Sequence, residues 1–214
     1  MSGSPGCSCP GNEFGERDAR RDLEGYRRNG PERTTRWLID GLAAGGVDGL
    51  SVLDIGAGVG AVHLELLGAG ATSAVDVDGS AAYVDAARRE ATRRGVAERV
   101  TYSVGDFVSL ASAIEPADLV ALDKVVCCYP DMAALVRLST AHARRRYGLV
   151  YPRDTWWIRI GGRVMNGVFR LTRQRLRFYI HPTVAVDAIV KAAGFRLATI
   201  RPGLFWQVAV YERA

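Results

Sequence analysis

Lysine is almost missing from this 214-residue chain: of its 28 basic residues only Lys124 and Lys191 are lysines, and the rest are arginines. The formal net charge is +5, but the clearest basic cluster is local, at residues 153–177. That argues against the uniformly basic surface of a nucleic-acid binder. Cysteine is scarce too. Cys7 and Cys9 stand near the N-terminus, Cys127 and Cys128 are adjacent, and neither spacing makes a disulfide framework. A Cys-x-Cys with no second pair does not make a zinc site, so no metal is expected. No apolar run approaches the roughly 18 residues that span a bilayer. The first residues lack a basic-then-apolar leader, so a cytoplasmic protein is expected. No internal repeat is present.

Apolar residues make up 48% of the chain and charged residues 24%, enough for one sizeable globular domain. Residues 1–12, rich in Gly, Ser, Pro and Cys, read as a disordered tail. Residues 13–28 alternate acids and arginines around Phe14, Leu23 and Tyr26, which predicts a lightly packed helix broken at Asn29-Gly30-Pro31. A second helix is expected over 32–43. Strand candidates then follow at 51–55, 72–78, 99–104, 118–123 and 147–151, short and rich in Val, Ile and Leu as buried parallel strands are. Helices are expected between them, at 59–68, 80–94 and 131–145. Ser80 is the candidate N-cap of the second, and Gly95 its stop.

After Pro152 the alternation is interrupted until residue 181. A helix is expected again at 182–193, and the runs 195–201 and 205–212 around Pro202-Gly203 read as a hairpin. The expected fold is therefore α/β: a Rossmann-like doubly wound sheet of seven strands, mostly parallel, with a C-terminal antiparallel strand. One domain covers 13–214, with an N-terminal lid at 13–45 and a helical cap inserted at 153–181.

The segment Val52-Leu-Asp-Ile-Gly-Ala-Gly-Val-Gly60 carries the most information. An apolar strand ends in an acid, Asp54, and enters three alternating glycines, Gly56, Gly58 and Gly60. Glycine lets the backbone turn tightly and approach a ligand, and the following helix aims its free N–H groups at it. The Gly-x-Gly-x-Gly spacing is tighter than that of a dinucleotide site and suits a cofactor with a compact zwitterionic arm. Asp78, 22 residues past Gly56, can accept from both ribose hydroxyls at the tip of the second strand. Asp76 is its rival on the same face. Asp106-Phe107, after the third strand, can grip an adenine, the acid taking the amine and the ring covering the base. The alternative there is a plain turn with Asp106 as a helix N-cap.

Taken together, Leu53–Gly60, Asp78 and Gly105-Asp106-Phe107 resemble the motifs of class I S-adenosylmethionine-dependent methyltransferases. By that resemblance Asp54 and the loop Gly56, Ala57, Gly58 and Gly60 hold the methionine part, Asp78 and Gly79 the ribose, and Asp106 with Phe107 the adenine. Asp123 and Lys124 lie beside the methyl group, and Tyr26 closes over the cofactor. S-adenosyl-L-methionine is then the cofactor and S-adenosyl-L-homocysteine the product. The run Leu122–Asp131 and the run Phe178-Tyr-Ile-His-Pro182 are similar to the magnesium-protoporphyrin O-methyltransferase branch of the family.

Methyl transfer needs an aligned nucleophile and, for some acceptors, a base. The candidates are Asp123, Tyr129, Tyr151, Arg153 and His181. The competing reading of His181 is a helix-start residue satisfied by backbone. Cys127 and Cys128 read as small core residues. The expected reaction is methylation of a small molecule, at oxygen, with an anionic or carboxylate-bearing acceptor. The alternatives are other chemistry on the same cofactor, such as cyclisation, and, lowest, nucleic-acid methylation. No Asn/Asp-Pro-Pro-Tyr/Phe signature follows strand 4, so no nucleic-acid partner is expected.

Residues 153–177 hold seven arginines and one acid, Asp154. Trp156, Trp157, Ile160, Val164, Val168 and Leu171 form a helical apolar stripe interrupted by Gly161-Gly162. Three readings compete: a cap packed on the core, an arginine receiver for an anionic substrate, and a peripheral membrane contact. The sequence does not give the oligomeric state.

Overall fold

The structure, a computed structural model, describes residues 15–172 and 177–214. The expected tail at 1–12, with Cys7 and Cys9, lies outside the described residues, as do Phe14 and residues 173–176.

Two helices precede the sheet. In α1 (Glu16–Asn29) Ala19, Leu23 and Tyr26 are buried at helical spacing, while Glu16 and Asp18 in the first turn and Arg27 and Arg28 in the last complement the helix dipole. In α2 (Arg33–Ala43) Thr35, Leu38 and Leu42 are buried. The strands are β1 (Ser51–Ile55), β2 (Ser73–Asp78), β3 (Val100–Val104), β4 (Ala117–Asp123), β5 (Ala143–Pro152), β6 (Phe195–Pro202) and β7 (Trp206–Arg213). They form one seven-stranded sheet in the order β3-β2-β1-β4-β5-β7-β6. Pairing is parallel from β3 to β5, and β7 runs antiparallel to both neighbours. This is the doubly wound arrangement the alternation predicts.

Alternate residues of the strands feed two cores, as the pleat requires. Leu119 and Ala121 join Val52, Val150 and the residues of α1, α2, α3 (Ala61–Gly68) and α4 (Ala81–Arg93) on one face. Val120 and Leu122 join Leu53, Ile55 and the residues of α5 (Phe107–Leu110), α6 (Met132–Ala141) and α8 (Thr183–Ala192) on the other.

The structure departs from the expected boundaries in two places. The helix expected over 131–145 ends at Ala141, and β5 starts at Ala143. Tertiary partners claim the arginines there. Arg146 donates to the Leu42 carbonyl at 2.7 Å, and Arg145 pairs with Asp118. The stripe expected to break at Gly161-Gly162 is instead one continuous helix, α7 (Trp156–Leu171). Gly162 stands where Ile180 crosses so closely that a Cβ would lie 2.6 Å from the Ile180 Cδ1. The stripe does not pack on the core: Trp156, Trp157, Ile160, Val164, Val168 and Leu171 are all exposed. No helix among the described residues is long and apolar enough to cross a membrane.

Candidate active site

The carboxyl ends of β1, β2 and β4 open into a cleft of about 1020 Å³, roofed by α1, α7 and the β6–β7 turn. A ligand crevice beyond the carboxyl strand ends is the rule for open α/β sheets.

The glycine turn forms its floor. Gly56, Gly58 and Gly60 adopt φ of +66°, +58° and +81°, a region L-residues rarely enter. Gly56 also passes directly under Val125, so a Cβ there would collide with the Val125 Cγ2. Asp78 fastens this turn to β2. Its carboxylate accepts from the Gly58 N–H at 2.9 Å and the Ser80 N–H at 2.8 Å. Burial pushes its carboxyl up, and the two N–H bonds oppose that shift. Gly56, Ala57, Gly58, Asp78 and Gly79 all line the cleft.

Asp54, expected beside them, does not reach the cleft. It is fully buried behind the turn, where its Oδ2 meets the His63 ring Nδ1 at 3.0 Å and accepts from the His63 N–H at 3.2 Å. The other ring nitrogen of His63 is 4.0 Å from Asp76. Gly60 is pressed against the same imidazole: a Cβ there would lie 2.7 Å from the His63 Cε1. Asp76, the rival of Asp78, thus belongs to this buried cluster and not to the cleft. Its carboxyl is pushed up to about 9, first by burial and then by the charges of Asp54 and Asp78. His63 is the residue the motif reading missed. The available signal is a single polar ring among apolar neighbours, three positions past the last glycine.

Asp106 lines the far end of the cleft. Its carboxylate accepts from the Tyr129 hydroxyl at 3.0 Å and from the Ser109 hydroxyl at 3.0 Å. Phe107 lines the cleft too, but its ring is largely buried and sits edge-on to His142, centroids 5.4 Å apart. At the β4 tip Asp123 accepts from the Thr35 hydroxyl at 2.5 Å, and burial raises its carboxyl. Lys124 follows with φ +62°, the one positive φ outside glycine among the described residues. Its ammonium bonds Glu32 at 2.7 Å and lies 6.0 Å from the Trp206 ring. Backbone strain of this kind concentrates at functional sites. Tyr26 completes the wall from α1, donating to Glu65 at 2.6 Å.

Three expected catalytic residues lie elsewhere. The His181 ring Nε2 meets the Tyr129 carbonyl at 2.9 Å, its ring stacks on Tyr179, and burial lowers its pKa. This is the backbone-satisfied role. Tyr151 is buried within the sheet's core. Arg153 donates to the Gly203 carbonyl at 3.0 Å, and its N–H to the Phe205 carbonyl at 2.9 Å, pinning the β6–β7 turn. None of the three lines the cleft. Cys127 and Cys128 do. The Cys127 thiol is buried and donates to the Lys124 carbonyl at 3.1 Å.

The outer half of the cleft is aromatic. Phe178, Phe205 and Trp206 enclose one another at centroid distances of 5.1 to 6.1 Å, with Met165 and Phe169 of α7 among the other lining residues. Arg21, Arg28 and Arg177 also contribute to the lining. Phe205 and Trp206 read in sequence only as part of a strand.

Residues 52–145 match the family model of a methyltransferase domain. That stretch, somewhat under half of the chain, is similar to a methyltransferase domain. No curated protein matches it. Solved structures of the same fold include a magnesium protoporphyrin IX methyltransferase from Synechocystis PCC 6803 with bound SAH. It is 23% identical at a TM-score of 0.68, over 91% of this chain and 86% of that one. A geranyl diphosphate methyltransferase in complex with SAM is 14% identical at 0.69, over 92% and 90%. The 4+2 cyclase SpnF is 16% identical at 0.67, over 100% and 98%. The likeness to class I methyltransferases, and its moderate extension to the magnesium-protoporphyrin branch, thus holds for the fold.

Proposed function

We propose that the cleft binds S-adenosylmethionine and that the methyltransferase domain esterifies a carboxylate on an aromatic or polycyclic small molecule. The observation that carries this reading is the pairing, in one cleft, of the Asp78-fastened glycine turn with an aromatic box beside Lys124 and the lining arginines.

The residues present fit the cofactor. Gly56 and Gly58 line the cleft at positive φ, a turn that lets bare backbone approach a ligand. Asp78 spends two acceptor positions on backbone N–H groups, and a carboxylate has about four, so it can still receive ribose hydroxyls. Asp106 and Phe107 would hold the adenine, and Tyr26 would close the wall. Asp54 acts from behind, holding His63 and through it the turn.

Bound there, S-adenosylmethionine would supply an electrophilic methyl group on a sulfonium, with neutral S-adenosylhomocysteine as the leaving product. The protein's task is alignment and exclusion of water. A carboxylic acid with a pKa near 4 is already ionised at neutral pH, so its oxygen attacks without a base. That chemistry matches a cleft whose described lining contains no histidine. Lys124 and Arg177, both lining the cleft, would orient the anion, and Phe178, Phe205 and Trp206 would cover its apolar body.

The test is turnover with methyl-labelled S-adenosylmethionine and a panel of aromatic carboxylic acids. Label in a base-labile ester, with equimolar S-adenosylhomocysteine, is the expected result. Label in a base-stable ether would move the site of attack to a hydroxyl. Acceptor rearrangement with no gain of methyl mass would overturn methyl transfer altogether.

A further inference from the structure

The cap helix α7 has two apolar faces, and only one of them faces the protein. At 3.6 residues per turn, Ile158, Gly162, Met165 and Phe169 fall on one side. Ile158 and Gly162 are buried, and Met165 and Phe169 line the cleft. Trp156, Trp157, Ile160, Val164, Val168 and Leu171 fall on the opposite side. Trp156 is 74% exposed, Val164 62% and Leu171 85%. Scattered exposed apolar residues are ordinary, but one continuous helical face of this kind is not.

Charge decides what covers it. Residues 155–172 contain three arginines, Arg159, Arg163 and Arg170, and no acid. All three project along one flank, between the outer apolar face and the cleft-facing side. Arg159 pairs with Asp154, while Arg163 and Arg170 form no salt bridge among the described residues. A two-fold partner copy would set this arginine flank against itself, with no acid on the helix to answer it. A sheet of anionic headgroups answers it directly. An apolar face some 120° wide, tryptophans at one end and cations along its border are what a helix lying in a membrane interface presents.

We propose that the outer face of α7 docks on an anionic lipid surface, its apolar side chains entering the headgroup boundary and Arg163 and Arg170 meeting lipid phosphates. On the reading of the cleft given above, docking sets the aromatic half of the cleft beside the bilayer, where an amphiphilic acceptor would partition.

The test needs neither cofactor nor acceptor, so it stands or falls apart from the proposed reaction. The full chain is sedimented with vesicles of phosphatidylcholine alone and of phosphatidylcholine mixed with phosphatidylglycerol, over a range of salt. Binding to the mixed vesicles only, weakening as salt rises, is the expected result. The triple variant Ile160→Ser, Val164→Ser, Val168→Ser should lower vesicle affinity about tenfold or more. Arg163→Glu with Arg170→Glu should do the same. Circular dichroism and thermal unfolding of both variants should match the parent, since none of these side chains is buried. Absence of binding to the mixed vesicles would overturn the proposal. So would undiminished binding by the folded triple variant, or a dimer in sedimentation velocity that this variant dissolves while vesicle binding stays absent.

Discussion

Asp78 and Gly58 are joined by a 2.9 Å hydrogen bond from the glycine N–H to the carboxylate. It ties the tip of β2 to the middle of the glycine turn, so the residue expected to receive a ribose also holds the loop beside it. Floor and wall of the cleft are thus one unit.

Gly56 carries two constraints, φ of +66° and the contact with Val125. Gly56→Ala should cost about 1–3 kcal/mol in denaturant unfolding. Adding Val125→Ala should recover the steric part and leave the backbone part. Full recovery would mean that the positive φ carries no cost.

Asp76 should make stability depend on pH. Its carboxyl sits at about 9 in the folded protein and at about 3.9 unfolded. Between those values the folded state holds a proton the unfolded state lacks, so stability falls as pH rises. Asp76→Asn removes that linkage. Relative to the parent it should gain stability from about pH 5 to about pH 8, with a slope of up to about 1.4 kcal/mol per pH unit. Parallel stability profiles for parent and variant would contradict the assignment.

Tyr26 anchors α1 through its bond to Glu65. Tyr26→Phe should cost about 1 kcal/mol and speed amide exchange across Glu16–Asn29. Mass-detected hydrogen exchange would show it, and unchanged protection of α1 would refute the anchoring role.

His181 should prove structural. A general base contributes about 10²–10⁴-fold, so His181→Ala should lower kcat by much less than that while destabilising the Tyr129 segment its ring supports. A loss of a hundredfold or more, with the fold intact by circular dichroism, would restore the base role.

The alternating α/β pattern and the glycine turn were legible because their signals are local. Apolar pentads, the three glycines, and an acid at a strand tip each announce themselves within a few residues. Even the choice of Asp78 over Asp76 follows from which one stands at the end of its strand. What stayed hidden depends on distant partners. Asp54 looks like a ligand-facing acid until α3 brings His63 against it. The arginines of 144–146 continue a helical pattern until Asp118 and the Leu42 carbonyl claim two of them. The stripe on α7 looks like a core face, and nothing in its period reveals that Met165 and Phe169 turn inward instead. His181 looks like a base until the Tyr129 carbonyl occupies its ring nitrogen.

The central proposal is that S-adenosylmethionine occupies the Asp78 side of the cleft. Calorimetric titration of the protein with S-adenosylhomocysteine, beside Asp78→Ala, tests it most directly. Removing a charged acceptor of buried hydrogen bonds costs about 1.5–3 kcal/mol, so saturable binding by the parent should weaken at least tenfold in a variant that remains folded. No heat of binding from the parent, or equal affinity in the variant, would contradict it.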